Sequence, residues 1–183
     1  MKLFLTTLFF IVSFTIKAQY INLTESEVTM IARLIVGEAE GESFEGKKYI
    51  AETILNRMIS DKFPNTVEAV IEQPRQYDAR WNASLWDRKP GEEDIRAVRE
   101  ALINPSLPID VVYYVKLSTL PENNLWRKRL EELGIYKKEG AHTFFYGFED
   151  HTETKRPKVN TIPKGMAEIK MAVDNTAVKS IKF

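Results

Sequence analysis

The chain of 183 residues contains no cysteine and only two histidines. Without cysteine there is no disulfide, no lipid anchor on a cysteine and no thiolate ligand for a metal. The histidines, His142 and His151, lie nine residues apart and outside any HExxH motif, so they do not form a zinc site by themselves. These absences disfavour a zinc-dependent amidase, and we expect neither a metal nor another cofactor.

The sequence also lacks an excess of one charge and the motifs of two common kinds of active site. It holds 26 basic and 26 acidic residues, which is not the balance of a nucleic-acid-binding protein. It has no GxSxG motif for a catalytic serine and no glycine-rich phosphate loop. Hydrophobic residues make up 44% and charged residues 28% of the chain. We therefore expect a soluble globule that binds no nucleic acid.

The first twenty residues differ in composition from the rest. Met1-Lys2 is a short basic start, residues 3–16 are almost wholly apolar or hydroxylic, and Lys17-Ala18-Gln19 ends this run. The layout is typical of a secretory signal peptide cleaved after Ala18. An uncleaved membrane anchor is the alternative, but the apolar run is short for a membrane-spanning helix. We predict a signal peptide over residues 1–18, a secreted or periplasmic protein, and no stable membrane anchor after cleavage.

Apolar periodicity predicts a chain that is mainly helical, with two short strands. A capping box at Thr24–Glu27 marks the start of the first helix. Apolar residues at helical spacing continue through most of residues 28–104, whereas two later segments are β-branched and aromatic. Three helices are predicted, from residue 24 to the glycines at 37 and 41, from 43 to about 60 and from 92 to 104. Shorter helical turns are predicted at 66–71 and around 126–133. The two strands are predicted at 110–115 and 140–148. The pattern predicts an α+β fold with a small antiparallel sheet.

Two stretches do not follow this periodicity. Residues 72–90 are irregular and rich in aromatic residues, which is typical of a binding loop, and Tyr77, Trp81 and Trp86 are its candidates for stacking on a sugar. Beyond His151 the apolar pattern fades and basic residues outnumber acidic ones. We therefore predict a catalytic domain over residues 19–150 and a basic C-terminal extension over residues 151–183.

Three glutamates lie at the junction of the first two predicted helices. Acids are disfavoured at a helix C-terminus by the helix dipole, so a carboxyl group kept there suggests a function such as general acid catalysis. Glu38 follows Ile35 by three residues on the inward stripe, whereas Glu40 falls off it. Glu42 is placed to cap the second helix. The alternative for all three is that they are solvated residues of a turn.

Several short motifs then follow one another between residues 27 and 148. In order they read ARLIVGEAEGE at 32–42, EG at 45–46, NR at 56–57, FPNTV at 63–67, VI at 70–71, QY at 76–77, YY at 113–114 and HTFF at 142–145. In this order they resemble the SleB/CwlJ-like cell wall hydrolases, the spore-cortex-lytic enzyme type of catalytic domain. The resemblance implies a lysozyme-like fold and cleavage of the peptidoglycan glycan strand, commonly as a lytic transglycosylase.

The resemblance also assigns residues. Glu38 matches the catalytic glutamate of the family, and Glu40 stands where the family commonly has arginine. Residues 78–91 and 119–139 do not follow the family pattern. Substrate binding is expected from the other matching positions, which are Glu42, Gln76, Tyr77, Tyr114 and His142. For His142, two alternatives stay open, since it could bind sugar or orient Glu38, or serve the fold alone.

Three functions stay open beside the lytic transglycosylase, which we expect to act as a monomer at the bond between N-acetylmuramic acid and N-acetylglucosamine. A muramidase or glucosaminidase would need a second carboxylate about 5–10 Å from Glu38, and Glu42 and Asp78 are the nearby acids. A non-catalytic wall-binding module could keep the sugar cleft and use the basic extension. A secreted amidase is the third, and it is disfavoured by the missing metal ligands.

Overall fold

The computed structural model describes residues 21–74, 76–77 and 85–156 of the chain. The predicted signal peptide, Asp78, Trp81 and residues 157–183 lie outside these ranges. Within them, the helices are α1 (Glu25–Glu38), α2 (Phe44–Ile59), α3 (Val67–Ile71), α4 (Glu92–Ile103) and α5 (Leu125–Leu133), with a 3₁₀ turn at Leu117–Thr119. The strands are β1 (Val111–Val115), β2 (Ile135–Glu139) and β3 (His142–Tyr146). No helix of the described ranges is long and apolar enough to cross a membrane.

Helix α1 begins at the predicted capping box. The Thr24 hydroxyl accepts the Glu27 N–H at 3.2 Å, and the Glu27 carboxylate accepts the Thr24 N–H at 2.7 Å. The predicted apolar stripe of α1 is buried, from Val28 through Ile31 to Ile35. The helix therefore presents one face to the core and ends at Glu38.

Helix α2 is the central element of the domain, and it packs against α1, α3, α4 and β1. Residues 48–58 are all buried, so α2 is enclosed on nearly every side. Its N-cap is Ser43, whose hydroxyl accepts the Gly46 N–H at 3.1 Å. The prediction that Glu42 caps this helix is therefore wrong, because the shorter serine side chain reaches the free N–H group instead.

A buried ionic cluster connects α2 to the chain that follows α4. The Glu52 carboxylate is fully buried and accepts the N–H groups of Ser106 and Leu107, at 2.8 and 2.6 Å. Its oxygens also lie 3.8 Å from Lys48 Nζ and 3.9 Å from Arg156 Nη2. Burial raises the pKa of Glu52 and lowers the pKa of Arg156 to about 10. These contacts provide the partners that a buried charge requires.

The three strands form one antiparallel sheet in the order β1-β3-β2. The predicted pairing of the first and last strands is confirmed, with Tyr114 opposite Phe144. Strand β2 was not predicted, because Lys137, Lys138 and Glu139 give it no alternation of apolar and polar residues. Charged residues of this kind suit an edge strand, where they discourage pairing with another chain.

The first residues of the predicted C-terminal extension pack on the domain. The Thr152 N–H donates to Asp110 Oδ2 at 2.7 Å, and the Ile109 N–H donates to the Thr154 carbonyl at 2.7 Å. Arg156 is buried, and its Nε donates to Asn56 Oδ1 at 2.9 Å. Residues 151–156 are thus part of the folded unit, and the extension beyond them stays a prediction.

Candidate active site

The turn between α1 and α2 places the three glutamates in different surroundings. Glu38 is the last residue of α1 and is partly exposed, while Ala39 behind it is buried. Glu40 is exposed. Gly41 has a φ of +79°, a conformation that glycine adopts without strain, and the chain reverses there. Glu38 therefore lies at the surface of the domain, at the end of α1, where a general acid can reach a substrate.

Glu42 is joined to the hairpin between β2 and β3. Its carboxylate accepts the Ala141 N–H at 3.2 and 3.3 Å, and its Oε1 lies 3.4 Å from His142 Nδ1. Only 7% of the side chain is exposed. The neighbouring Gly140 has a φ of +57°, and a Cβ atom there would clash with this carboxylate. Glu42 thus fastens the turn to the sheet, which is a structural role.

His142 lies inside the domain and not on its surface, with 1% of its area exposed. Burial lowers the pKa of His142, the Glu42 carboxylate opposes this shift, and Lys116 adds to it. The imidazole ring meets the Tyr114 ring edge-on at 5.3 Å. Of the two alternatives for this residue, direct sugar binding is not supported by its position, whereas the structural role is.

Tyr77 is also buried, with 2% of its area exposed, so its ring offers little surface for the predicted stacking on a sugar. Its hydroxyl accepts a hydrogen bond from Arg57 Nη1 at 2.9 Å. Burial raises the pKa of Tyr77, Arg57 lowers it, and the charge of Glu38 raises it. Glu38 is therefore close enough to Tyr77 for the two groups to interact electrostatically.

Tyr114 connects the two halves of the site. Its ring lies 6.4 Å from the Tyr77 ring and 5.3 Å from the His142 ring. Contacts consequently run from Tyr77 through Tyr114 and His142 to Glu42, and the charge of Glu38 raises the pKa of Tyr77. The structure thus joins four of the six predicted site residues by contacts, and Glu38 acts on one of them through its charge.

The remaining predicted site residue is Gln76, and the remaining described candidate for stacking is Trp86. Gln76 is exposed, and its N–H donates to the Gln73 carbonyl at 3.4 Å. Trp86 is 50% exposed, and residues 78–84, which lie between it and Tyr77 in the chain, are outside the described ranges. Binding of substrate by Gln76 and stacking on Trp86 stay predictions.

Arg57 is a site residue to which the sequence assigned no role, although it occurs in the NR motif. The guanidinium is buried beneath three rings, at 5.2 Å from Phe63 and 5.3 Å from both Tyr77 and Tyr113. Its Nε donates to the Val112 carbonyl at 2.7 Å. Arg57 thereby holds the Tyr77 ring in place and ties α2 to β1. The feature of the sequence that could indicate this role is an arginine on the buried face of a predicted helix.

Comparison with known proteins shows to which family the chain belongs. The profile of the Cell Wall Hydrolase family matches residues 41–145, more than half of the chain. This match begins three residues after Glu38. The spore cortex-lytic enzyme of Oceanobacillus iheyensis is 30% identical over 112 residues, which are 61% of this chain. The chain spans only about two fifths of the length of that relative, at 40%.

Two solved structures are similar to the fold. The catalytic domain of the germination-specific lytic transglycosylase SleB from Bacillus anthracis is 30% identical, with a TM-score of 0.59 over 68% of this chain and 97% of that one. The catalytic domain of the Bacillus cereus SleB protein is 29% identical, with a TM-score of 0.60 over 68% of this chain and 92% of that one. The predicted resemblance and the lysozyme-like α+β fold are confirmed. The chain belongs to the Cell Wall Hydrolase family.

Proposed function

We propose that the protein cleaves the glycan strand of peptidoglycan, with Glu38 as the general acid. The observation that carries this proposal is the position of Glu38, which is partly exposed at the end of α1, beside the turn that leads to α2. The similarity to SleB catalytic domains, one of them described as a lytic transglycosylase, supports the choice of substrate.

The mechanism requires one carboxyl group. Glu38 gives its proton to the glycosidic oxygen between N-acetylmuramic acid and N-acetylglucosamine, and this C–O bond breaks through an oxocarbenium-like transition state. The 6-hydroxyl of the muramic residue attacks its own anomeric carbon and returns its proton to the Glu38 carboxylate. The product carries a 1,6-anhydro end, no water is consumed, and the acid is ready for the next bond.

The surroundings of Glu42 favour this route over hydrolysis. A retaining or inverting glycosidase needs a second carboxylate that reaches the sugar or a water beside it. Glu42 is oriented instead towards the Ala141 N–H and the His142 ring, and little of its side chain is exposed. The other predicted partner, Asp78, lies outside the described residues.

The predicted signal peptide and the cell wall family together support an extracytoplasmic location, in the envelope or outside the cell. Peptidoglycan glycan strands are then the partner, and we expect the mature protein to act as a monomer. Residues 157–183 are rich in basic side chains, which suits attraction to anionic polymers of the wall.

Clearing of purified sacculi tests the proposal. The mature protein is expected to lower the turbidity of a sacculus suspension and to release glycan fragments that still carry stem peptides. Release of free stem peptides would contradict glycan cleavage and indicate an amidase. Binding to sacculi without any clearing across the pH range would contradict catalysis and indicate a wall-binding module.

A further inference from the structure

Three aromatic side chains form a row from the surface of the domain towards Arg57. We call Trp126, Tyr113 and Phe63 the aromatic ladder. The Trp126 and Tyr113 ring centroids lie 5.2 Å apart with an interplanar angle of 88°, and those of Tyr113 and Phe63 lie 6.0 Å apart at 68°. Trp126 is 44% exposed, and the other two rings are partly exposed. These edge-to-face contacts hold the rings in fixed orientations.

The aromatic ladder is continuous with the candidate active site. The Arg57 guanidinium lies 5.2 Å from the Phe63 ring and 5.3 Å from the Tyr113 ring, and its Nη1 donates to the Tyr77 hydroxyl. Tyr113 pairs with Phe145 and Tyr114 with Phe144, so these two tyrosines lie on opposite faces of the sheet, and Arg57 is the link between the aromatic ladder and Tyr77. One buried cation thus contacts two rings of the aromatic ladder and Tyr77, whose pKa the charge of Glu38 raises.

The position of Trp126 is set by local structure. The Asn124 side chain caps α5 by accepting the Trp126 and Arg127 N–H groups, at 2.9 and 3.1 Å. Trp126 therefore lies in the first turn of a capped helix, with its ring against Tyr113. The cap holds the backbone of Trp126 and Tyr113 packs against its ring, so little conformational entropy is lost when a ligand covers the exposed part of the ring.

We propose that the aromatic ladder is a sugar-binding subsite for the glycan strand, with Trp126 as the exposed stacking surface. The proposal rests on the proposed function and extends it to a second place on the strand, away from the bond that is cleaved. The apolar C–H face of a pyranose ring packs on an aromatic ring, while its hydroxyl groups stay in water. The shared contact with Arg57 places the aromatic ladder next to Tyr77 of the candidate active site, and this proximity selects a glycan over a protein partner.

The test compares Trp126→Ala with Trp126→Phe and with the matched control Leu125→Ala. Leu125 is 82% exposed in the same helical turn and carries no ring. With purified sacculi as substrate, we expect Trp126→Ala to raise KM about 3- to 10-fold with little change in kcat, because one aromatic contact is lost. Trp126→Phe should recover part of this loss, and Leu125→Ala should match the wild type. Equal melting temperatures would establish that all variants are folded.

A second measurement uses a soluble probe. Titration of a catalytically inactive Glu38→Gln protein with N-acetylglucosamine tetramer should change tryptophan fluorescence, and the change should shrink in the same protein carrying Trp126→Phe. Wild-type clearing of sacculi with an unchanged KM in Trp126→Ala would overturn the subsite and leave the proposed function intact. Loss of self-association in Trp126→Ala, without any effect on glycan binding, would overturn it in favour of contact with a second copy. Absence of clearing by the wild type would instead contradict the proposed function.

Discussion

Glu38 and Glu42 lie four residues apart on the two sides of one turn, and the fold uses them differently. Glu38 ends α1 and is partly exposed, whereas Glu42 is covered and accepts the Ala141 N–H. An acid that must exchange protons with a substrate needs access to it, and an acid that joins two elements needs stable partners. The contrast suggests that one glutamate carries out catalysis and the other holds the turn in place.

The largest expected effect is on activity at Glu38. Glu38→Gln keeps the size of the side chain but removes the transferable proton, so clearing of sacculi should fall by about 10²-fold or more. The melting temperature should stay close to that of the wild type, since Glu38 is partly exposed. Glu40→Gln, an exposed neighbour in the same turn, is the matched control and should stay active. If the Glu38→Gln protein still clears sacculi, Glu38 is not the general acid, and the proposed difference between Glu38 and Glu42 is wrong.

The next effect is on stability at Glu42. Glu42→Ala removes the acceptor of the Ala141 N–H and the partner of His142, so the free energy of unfolding should fall by about 1–3 kcal/mol. Glu40→Ala, measured by the same denaturant titration, should change it by less than about 0.5 kcal/mol. A Glu42→Ala protein as stable as Glu40→Ala would show that the covered carboxylate does not join the turn to the sheet.

Two glycines provide a further test of the contact between Glu42 and the hairpin. Gly41 and Gly140 both have positive φ, so alanine at either position should cost about 1 kcal/mol of backbone strain. A Cβ atom at Gly41 meets nothing within 4 Å, whereas at Gly140 it meets the Glu42 carboxylate. Gly140→Ala should therefore destabilise the protein more than Gly41→Ala does. That difference should shrink when Glu42→Ala is present in both proteins; a difference that persists would place its cause elsewhere.

The smallest effect concerns pH. Burial holds the pKa of His142 below its ordinary value of 6.5, so the unfolded chain binds a proton there more readily than the folded one. Stability from this residue is present above about pH 6.5 and is lost as pH falls towards the lowered pKa. Denaturant titrations between pH 7 and 5 should therefore show a smaller loss of stability in His142→Gln than in the wild type. An equal loss would mean that His142 does not titrate in this way.

Much of the fold could be predicted because it depends on local patterns. The capping box at Thr24 and the apolar spacing of α1 reflect interactions within a few residues of each other, and the aromatic strands β1 and β3 carry strong local preferences. Edge strand β2 could not be predicted in this way. Its charged sequence forms a strand only because β3 lies beside it.

The candidate site was predictable in part for the same reason. The helix end at Glu38 is a local feature, whereas the covering of Glu42 depends on a hairpin almost one hundred residues further along the chain. The burial of Tyr77 likewise depends on Arg57, which reaches it from α2. Roles that arise from distant partners leave no trace in the spacing of the residues themselves.

The most direct test of the account is the chemical nature of the glycan ends that the mature protein produces from purified sacculi, measured by mass spectrometry. If Glu38 acts without a second carboxylate and Glu42 serves the fold, the fragments should end in 1,6-anhydromuramic acid. Reducing ends that take up ¹⁸O from labelled water would contradict the single-acid mechanism and require a hydrolase with a second catalytic carboxylate.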